Sequence, residues 1–232
     1  MAEKLTVTPE QLTSFSLLKN EPDWFLDIRL KALELAKQLP LPFIERVKFH
    51  RWNLFQSEIG EANSIITELE KDIPSAVGSA KIVQLGAVSY WEEMNVETAM
   101  QDVLVMDLFE ALQQYPELVK PYYMTKAVPV DEDSLTAYHA AMVNSGIFIY
   151  VPKNIVLEDI IESHFVQNNT VDEAFVKHVL IVAEENSSLS YVERFESIGD
   201  RKNTANIIVE VIAKEGAKVH FAAVDTLGQP TD

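Results

Sequence analysis

The side chains able to do acid–base or metal chemistry are spread thinly along this chain. The five histidines are His50, His139, His164, His178 and His220. No two have the H-x-x-x-H spacing that sets paired imidazoles on one helical face for zinc. Stacking of later segments could bring His178 near His220, in a register the sequence does not fix. His220 falls on the polar side of its strand, so a partner-facing role suits it best. The plainer reading of all five is surface or internally satisfied histidine. The acidic groups Glu92-Glu93, Asp131-Glu132-Asp133, Glu158-Asp159 and Glu184-Glu185 would suit glycoside hydrolysis, which needs two carboxylates at a set distance. Adjacent residues on a strand point to opposite faces, and most of these groups sit beside turn signals. Solvated turn charges account for them more simply. Ser134, Ser145 and Ser163 have no G-x-S-x-G context. With seven glycines and no G-x-x-x-x-G-K-[ST], no phosphate-cradling loop is expected. No catalytic, cofactor-binding or metal-binding residue is therefore assigned, and the chain is expected not to be an enzyme.

The chain has 232 residues, 47% of them apolar, with a formal charge of −17 and a pI near 4.6. That is enough apolar material for a core. An acidic surface repels phosphate backbones and anionic lipid, so nucleic acid and membrane are not expected partners. There is no cysteine. Disulfides are excluded, as is any cysteine-ligated zinc or iron–sulfur site built from this chain alone. Met1 to Leu5 shows no apolar signal core, and no run of about 18 apolar residues occurs. A cytoplasmic location is expected.

The elements that must position these residues follow from punctuation and period. Thr8-Pro9-Glu10 predicts a helix start, with Leu12, Phe15 and Leu18 along it. A second helix is predicted over 22–39, its apolar positions Trp24, Ile28, Leu35 and Leu39 and its polar ones including Arg29, stopped at Pro40. Residues 48–55 read as extended, and 59–73 as loop plus short helix. Strand character covers 81–90, interrupted at Gly86. Helix character returns near Val96, and 103–106 reads as a short strand. Asp107 caps a helix over 108–114, and Pro116 opens another to Met124. The three tryptophans, Trp24, Trp52 and Trp91, are expected in core or domain contacts.

After Ala137 the pattern changes. Strands are predicted over 137–142, 147–151, 155–157, 164–167, 176–183, 189–195, 206–213 and 217–224, most separated by turn signals such as Asn144-Ser145-Gly146 and Glu215-Gly216. Ile181 to Asn186 can be laid on Val211 to Gly216, an offset of 30 residues, and Asn154 on Asn186, an offset of 32. Such a period points to a β-solenoid, in which stacked coils bury one continuous face. A sandwich of evenly spaced hairpins is the alternative.

Three stretches go further. Asn20-Glu21-Pro22-Asp23-Trp24 with Arg29-Leu30-Lys31-Ala32-Leu33 and Leu39-Pro40-Leu41-Pro42 is one. Val105 to Tyr122 is the second, and Gly146 to Asn154, GIFIYVPKN, is the third. Together they resemble the SufB/SufD family of iron–sulfur cluster assembly proteins, from about Asn20 to Leu227. The Trp52-Asn53 pair and Ala223 to Leu227 are more like the SufD branch. The resemblance implies an α+β chain: an N-terminal mainly α-helical domain, 1–130, then the first coils of a right-handed parallel β-helix (a single-stranded β-solenoid), 131–232. It implies a non-catalytic scaffold component that works with a SufB-like protein and a SufC-like ATPase, the iron–sulfur cluster and ATP belonging to the assembled complex and no cofactor to this chain. Family members continue through more coils and a C-terminal helical domain, so the chain is expected to be truncated, with self-association at the open last coil and SufC contact through the missing part. A carbohydrate-active β-helix enzyme and a plain protein-interaction domain are the alternatives.

Overall fold

The computed structural model describes residues 5–59 and 78–228. Helix α1, Pro9–Leu18, begins as its sequence predicts. The Thr8 hydroxyl accepts the Gln11 N–H, and the Gln11 side chain accepts the Thr8 N–H, a reciprocal box that satisfies two free donors. Helix α2, Asp23–Gln38, ends ahead of Pro40. Its buried stripe is Phe25, Arg29, Ala32, Leu33 and Ala36, with Trp24, Ile28, Leu35 and Leu39 only partly buried at its flank. Arg29, read among the polar positions of this helix, is thus in the core, and its partners below explain why. Residues 48–55 hold one turn of 3-10 helix, Phe49–Arg51. The predicted loop and helix at 59–73 lies, past Ile59, outside the described residues.

Strands β1, Ala80–Leu85, and β2, Val88–Met94, form a hairpin. The interruption at Gly86, where φ is +52°, is its two-residue turn. A short helix α3, Val96–Ala99, precedes β3, Leu104–Asp107. Asp107 then caps α4, Leu108–Gln114, by accepting the Phe109 and Glu110 N–H groups. Helix α5 is a single turn, Pro116–Val119, and does not reach Met124, whose φ is +47°.

The predicted strand over 137–142 is a helix, α6, Ser134–Met142. Asp133 accepts the Leu135 and Thr136 N–H groups, and Thr136 returns a bond to the Asp133 N–H. Ala137, Ala140 and Ala141 are strong helix formers. Nearly every α6 side chain is buried, so no polar face shows the helical period. Strand β4, Ser145–Val151, takes in Ser145 and Gly146, which the sequence suggested as a turn. Strand β5, Val156–Asn169, is one element where two were predicted. Then come β6, Phe175–Ala183; β7, Ser188–Gly199; β8, Ala205–Ala213; and β9, Lys218–Thr226.

The strands build two sheets, ordered β2-β1-β5-β7-β9 and β3-β4-β6-β8. From β4 onward consecutive strands alternate between the sheets, and from β6 onward each lies parallel beside the strand two before it. Antiparallel pairing is confined, among the described residues, to β1–β2 and β3–β4. The hairpin sandwich is therefore not what forms. Ile181 opposes Val211, Leu189 opposes Val219, and Tyr191 opposes Phe221, the pairs that the 30-residue offset predicted.

Strand alternation divides the interior. Val179, Ile181 and Ala183 of β6 face the other sheet, in a core shared with Ile147, Ile161, Phe165 and Tyr191. Val176, Leu180 and Val182 face the helices, in a core shared with Phe25, Leu33, Tyr138 and Met142. Strand β6 is buried on both faces along its whole length, and its apolar run is broken only by Lys177 and His178. The layers cross the chain's midpoint: β1 and β3 join the sheets, while α6 packs on α2.

Candidate functional site

Each buried layer contains titratable side chains. Between α6 and the four-stranded sheet lie His139 from α6, His178 from β6, and Asn206 and Glu210 from β8. Both histidines and Glu210 are fully buried. His139 Nδ1 is 2.8 Å from Asn206 Oδ1, and His139 Nε2 is 3.0 Å from His178 Nδ1. His178 Nε2 is 3.2 Å from Glu210 Oε2. The Glu210 carboxylate also accepts the Met124 N–H at 2.7 Å and the Val128 N–H at 3.1 Å. Tyr123 lies against His178, ring centroids 4.5 Å apart. Burial, and then the neighbouring His178, hold His139 well below the usual histidine range. Burial pushes the Tyr123 phenol up.

Lys177, the neighbour of His178, points the opposite way, into the space between the sheets. Its ammonium donates to the Gly86 carbonyl in the β1–β2 turn. Burial drives it down to about 7, against the opposing pull of Glu173. Glu173 is itself raised by burial, against Lys177 and Lys19. Farther along the same interior, Tyr191 Oη is 2.6 Å from Ser163 Oγ and donates to Glu193 Oε2 at 3.2 Å. Burial pushes Glu193 up to about 7. Lys177 and Glu193 can therefore take up or release protons near neutrality, but each is enclosed in a packed layer.

His178 and His220 are not brought together: they occupy different sheets, and His220 opposes Ser190. His164 instead lies with Nε2 3.2 Å from Glu196 Oε1. Glu184 pairs with Lys214 at 2.5 Å and Glu185 with Lys153, linking successive turns. Asp131, Glu132, Glu158 and Asp159 are exposed. Glu92 is exposed as well, although partial desolvation and then Asp107 push it up to about 7. Trp24 packs on the helical core, whereas Trp52 is 47% exposed and meets Phe49 edge-on, outside any core. Among the described residues no three His, Asp or Glu side chains are placed to hold a metal ion. Sequence reasoning missed the pairing of His139 with His178 because it took α6 for a strand. One signal was available: Glu210 interrupts the apolar run Ile207-Ile208-Val209, and a charge there needs a buried partner.

The chain has recognisable relatives in sequence. A family profile described as "SufBD protein N-terminal region" matches residues 72–162. A second, "SUF system FeS cluster assembly, SufBD core domain", matches 165–231. The chain is 36% identical, over 98% of its length, to the iron–sulfur cluster assembly protein SufD of Bacillus subtilis (strain 168), covering 54% of that protein. It is 27% identical, over 94% of its length, to an iron–sulfur cluster assembly SufBD family protein of Staphylococcus aureus (strain USA300), covering 50% of it. The chain thus spans about half the length of the curated relatives it matches.

Proposed function

Because the chain belongs to the SufBD family of iron–sulfur cluster assembly proteins, we propose that it serves as a SufD-like, non-catalytic scaffold in cluster assembly. Its partners are a SufB-like protein and a SufC-like ATPase. The cluster is the cargo of the assembled complex, and ATP is turned over by the ATPase. The six strands from β4 to β9 wind as coils of a right-handed parallel β-helix, a stiff post against which a second such post is set. ATP-driven movement of the ATPase alters the interface between the posts. The cysteines for the cluster come from the partner, since this chain has none.

One observation carries this reading: the likeness to a protein named SufD runs through 98% of the chain. The alternation of parallel strands between two sheets supports the β-helix. Co-expression of the tagged chain with the SufB-like and SufC-like proteins of its own organism tests the partners. Co-elution with the SufB-like protein is expected; elution of the chain alone counts against the scaffold. Anaerobic reconstitution of the chain by itself is expected to give no stoichiometric visible iron–sulfur absorbance. A stable cluster on the isolated chain would overturn the cargo assignment.

A further inference from the structure

The buried cluster between α6 and β6–β8 fixes its own proton count. Asn206 Nδ2 faces the Leu135 carbonyl at 3.5 Å, which turns its Oδ1 toward His139. An amide oxygen only accepts, so His139 carries its hydrogen on Nδ1. Burial keeps His139 neutral, and its Nε2 is therefore a bare acceptor. The 3.0 Å contact to His178 Nδ1 then requires a hydrogen on that Nδ1. A neutral His178 would leave a lone pair on Nε2, a buried nitrogen that makes no hydrogen bond and has Glu210 Oε2 only 3.2 Å away. Two acceptors in contact repel, so one more proton must lie between them. Glu210 already receives two backbone N–H groups, one on each oxygen, so a hydrogen of its own would have to sit on an oxygen that already accepts one.

We propose that this cluster is a proton-locked latch: His178 is an imidazolium paired with the Glu210 carboxylate, His139 is the neutral Nδ1–H tautomer, and the bound proton holds α6 and the 123–128 connection onto β6 and β8. Among the described residues, the other charged and titratable groups facing it are Tyr123, from the connection after α5, and Arg29 from α2. Arg29 and His178 both disfavour a second cation on His139. Through Met124 and Val128 the same carboxylate fixes a connection whose Met124 is in the left-handed region. Loss of the proton would turn an ion pair into two facing acceptors and release that connection from the sheet.

Histidine-15N spectra of the full chain near neutral pH decide the matter. Hydrogens are expected on both ring nitrogens of His178 and on Nδ1 alone of His139. A bare nitrogen on His178 overturns the proposal, because it would mean that Asn206 is turned round and the chain of bonds runs the other way. A second measurement uses Glu210→Gln. Its amide can donate to His178 Nε2, so His178 is expected to become neutral. Its single oxygen cannot serve both Met124 and Val128, so hydrogen exchange at one of those amides is expected to quicken by about tenfold. An imidazolium His178 that persists in Glu210→Gln also overturns the proposal. The spectrum of the unmodified chain stands as the test if that variant does not fold.

Discussion

Arg29 closes the helical layer. Its Nε donates to Glu21 Oε2 at 2.8 Å and its Nη2 to Glu21 Oε1 at 2.5 Å. The same guanidinium donates to the Ala141 carbonyl at 2.8 Å and the Val143 carbonyl at 2.6 Å. These carbonyls lie at the C-terminal end of α6, where a cation also meets the negative end of the helix dipole. Arg29→Ala would strand a buried carboxylate and two carbonyls, and is expected to cost about 3–5 kcal/mol in denaturant unfolding. Arg29→Lys should recover only part, because a lysine cannot make the forked contact to Glu21. In sequence Arg29 reads as one of the polar positions of its helix; only a partner eight residues upstream and another element's free carbonyls justify burying it, and neither shows as a helical period. Glu193 gives the opposite kind of test. Burial lifts it from 4.5 to about 7, so between those pH values the folded chain holds a proton that the unfolded chain has released. Its contribution is full below about 4.5 and is lost as pH rises toward 7. Glu193→Gln keeps an acceptor for Tyr191 without the ionisation. It is expected to be more stable than the parent by about 1–3 kcal/mol above neutrality and about equal to it in acid, read from denaturation across pH.

Strands and turns were more legible than helix faces, for a local reason. Asn154, Asn186 and Gly216 have φ of 65°, 58° and 71°. Left-handed backbone selects Asn and Gly, so stacked turns at equal spacing leave a mark in sequence. The turns also touch: the Asn186 amide donates to Asn154 Oδ1 at 3.3 Å. Helix α6 left no such mark, because tertiary burial on all sides removed its polar face. The start of β4 was misplaced for a different reason. Asn144 lies outside the strand, yet its side chain donates to the Ala174 carbonyl and accepts the Val176 N–H, extending the ladder. Gly146 is then a close-approach residue in the strand. A Cβ there would sit 2.0 Å from the His178 carbonyl oxygen of β6. Gly146→Ala must push β4 and β6 apart at backbone level. It is expected to cost about 1–3 kcal/mol in stability, measured by thermal melting, and a melting temperature equal to the parent's would contradict the close approach.

At the scale of the molecule two tendencies oppose each other. Strands β8 and β9 each bond to a neighbour on one side only among the described residues. The half-exposed Val211, Phe221 and Val224 lie along them. Such an edge is a template for another strand, and pairing there is what the sequence led us to expect of the last coil. Against this stands a formal charge of −17, which repels a second copy over distances that salt controls. The screening length is about 10 Å at 0.1 M salt and about 3 Å at 1 M. Repulsion should therefore hold copies apart at low ionic strength and fail as salt is added, while the backbone edge and its apolar side chains are little weakened. The expected result is a mass by light scattering that rises with salt. Phe221→Lys, which sets a charge in the middle of β9, should keep the mass at the monomer value throughout the series. A mass that falls with salt would mean that charged contacts rather than the sheet edge hold copies together, and a salt response unchanged in Phe221→Lys would place the contact elsewhere on the surface.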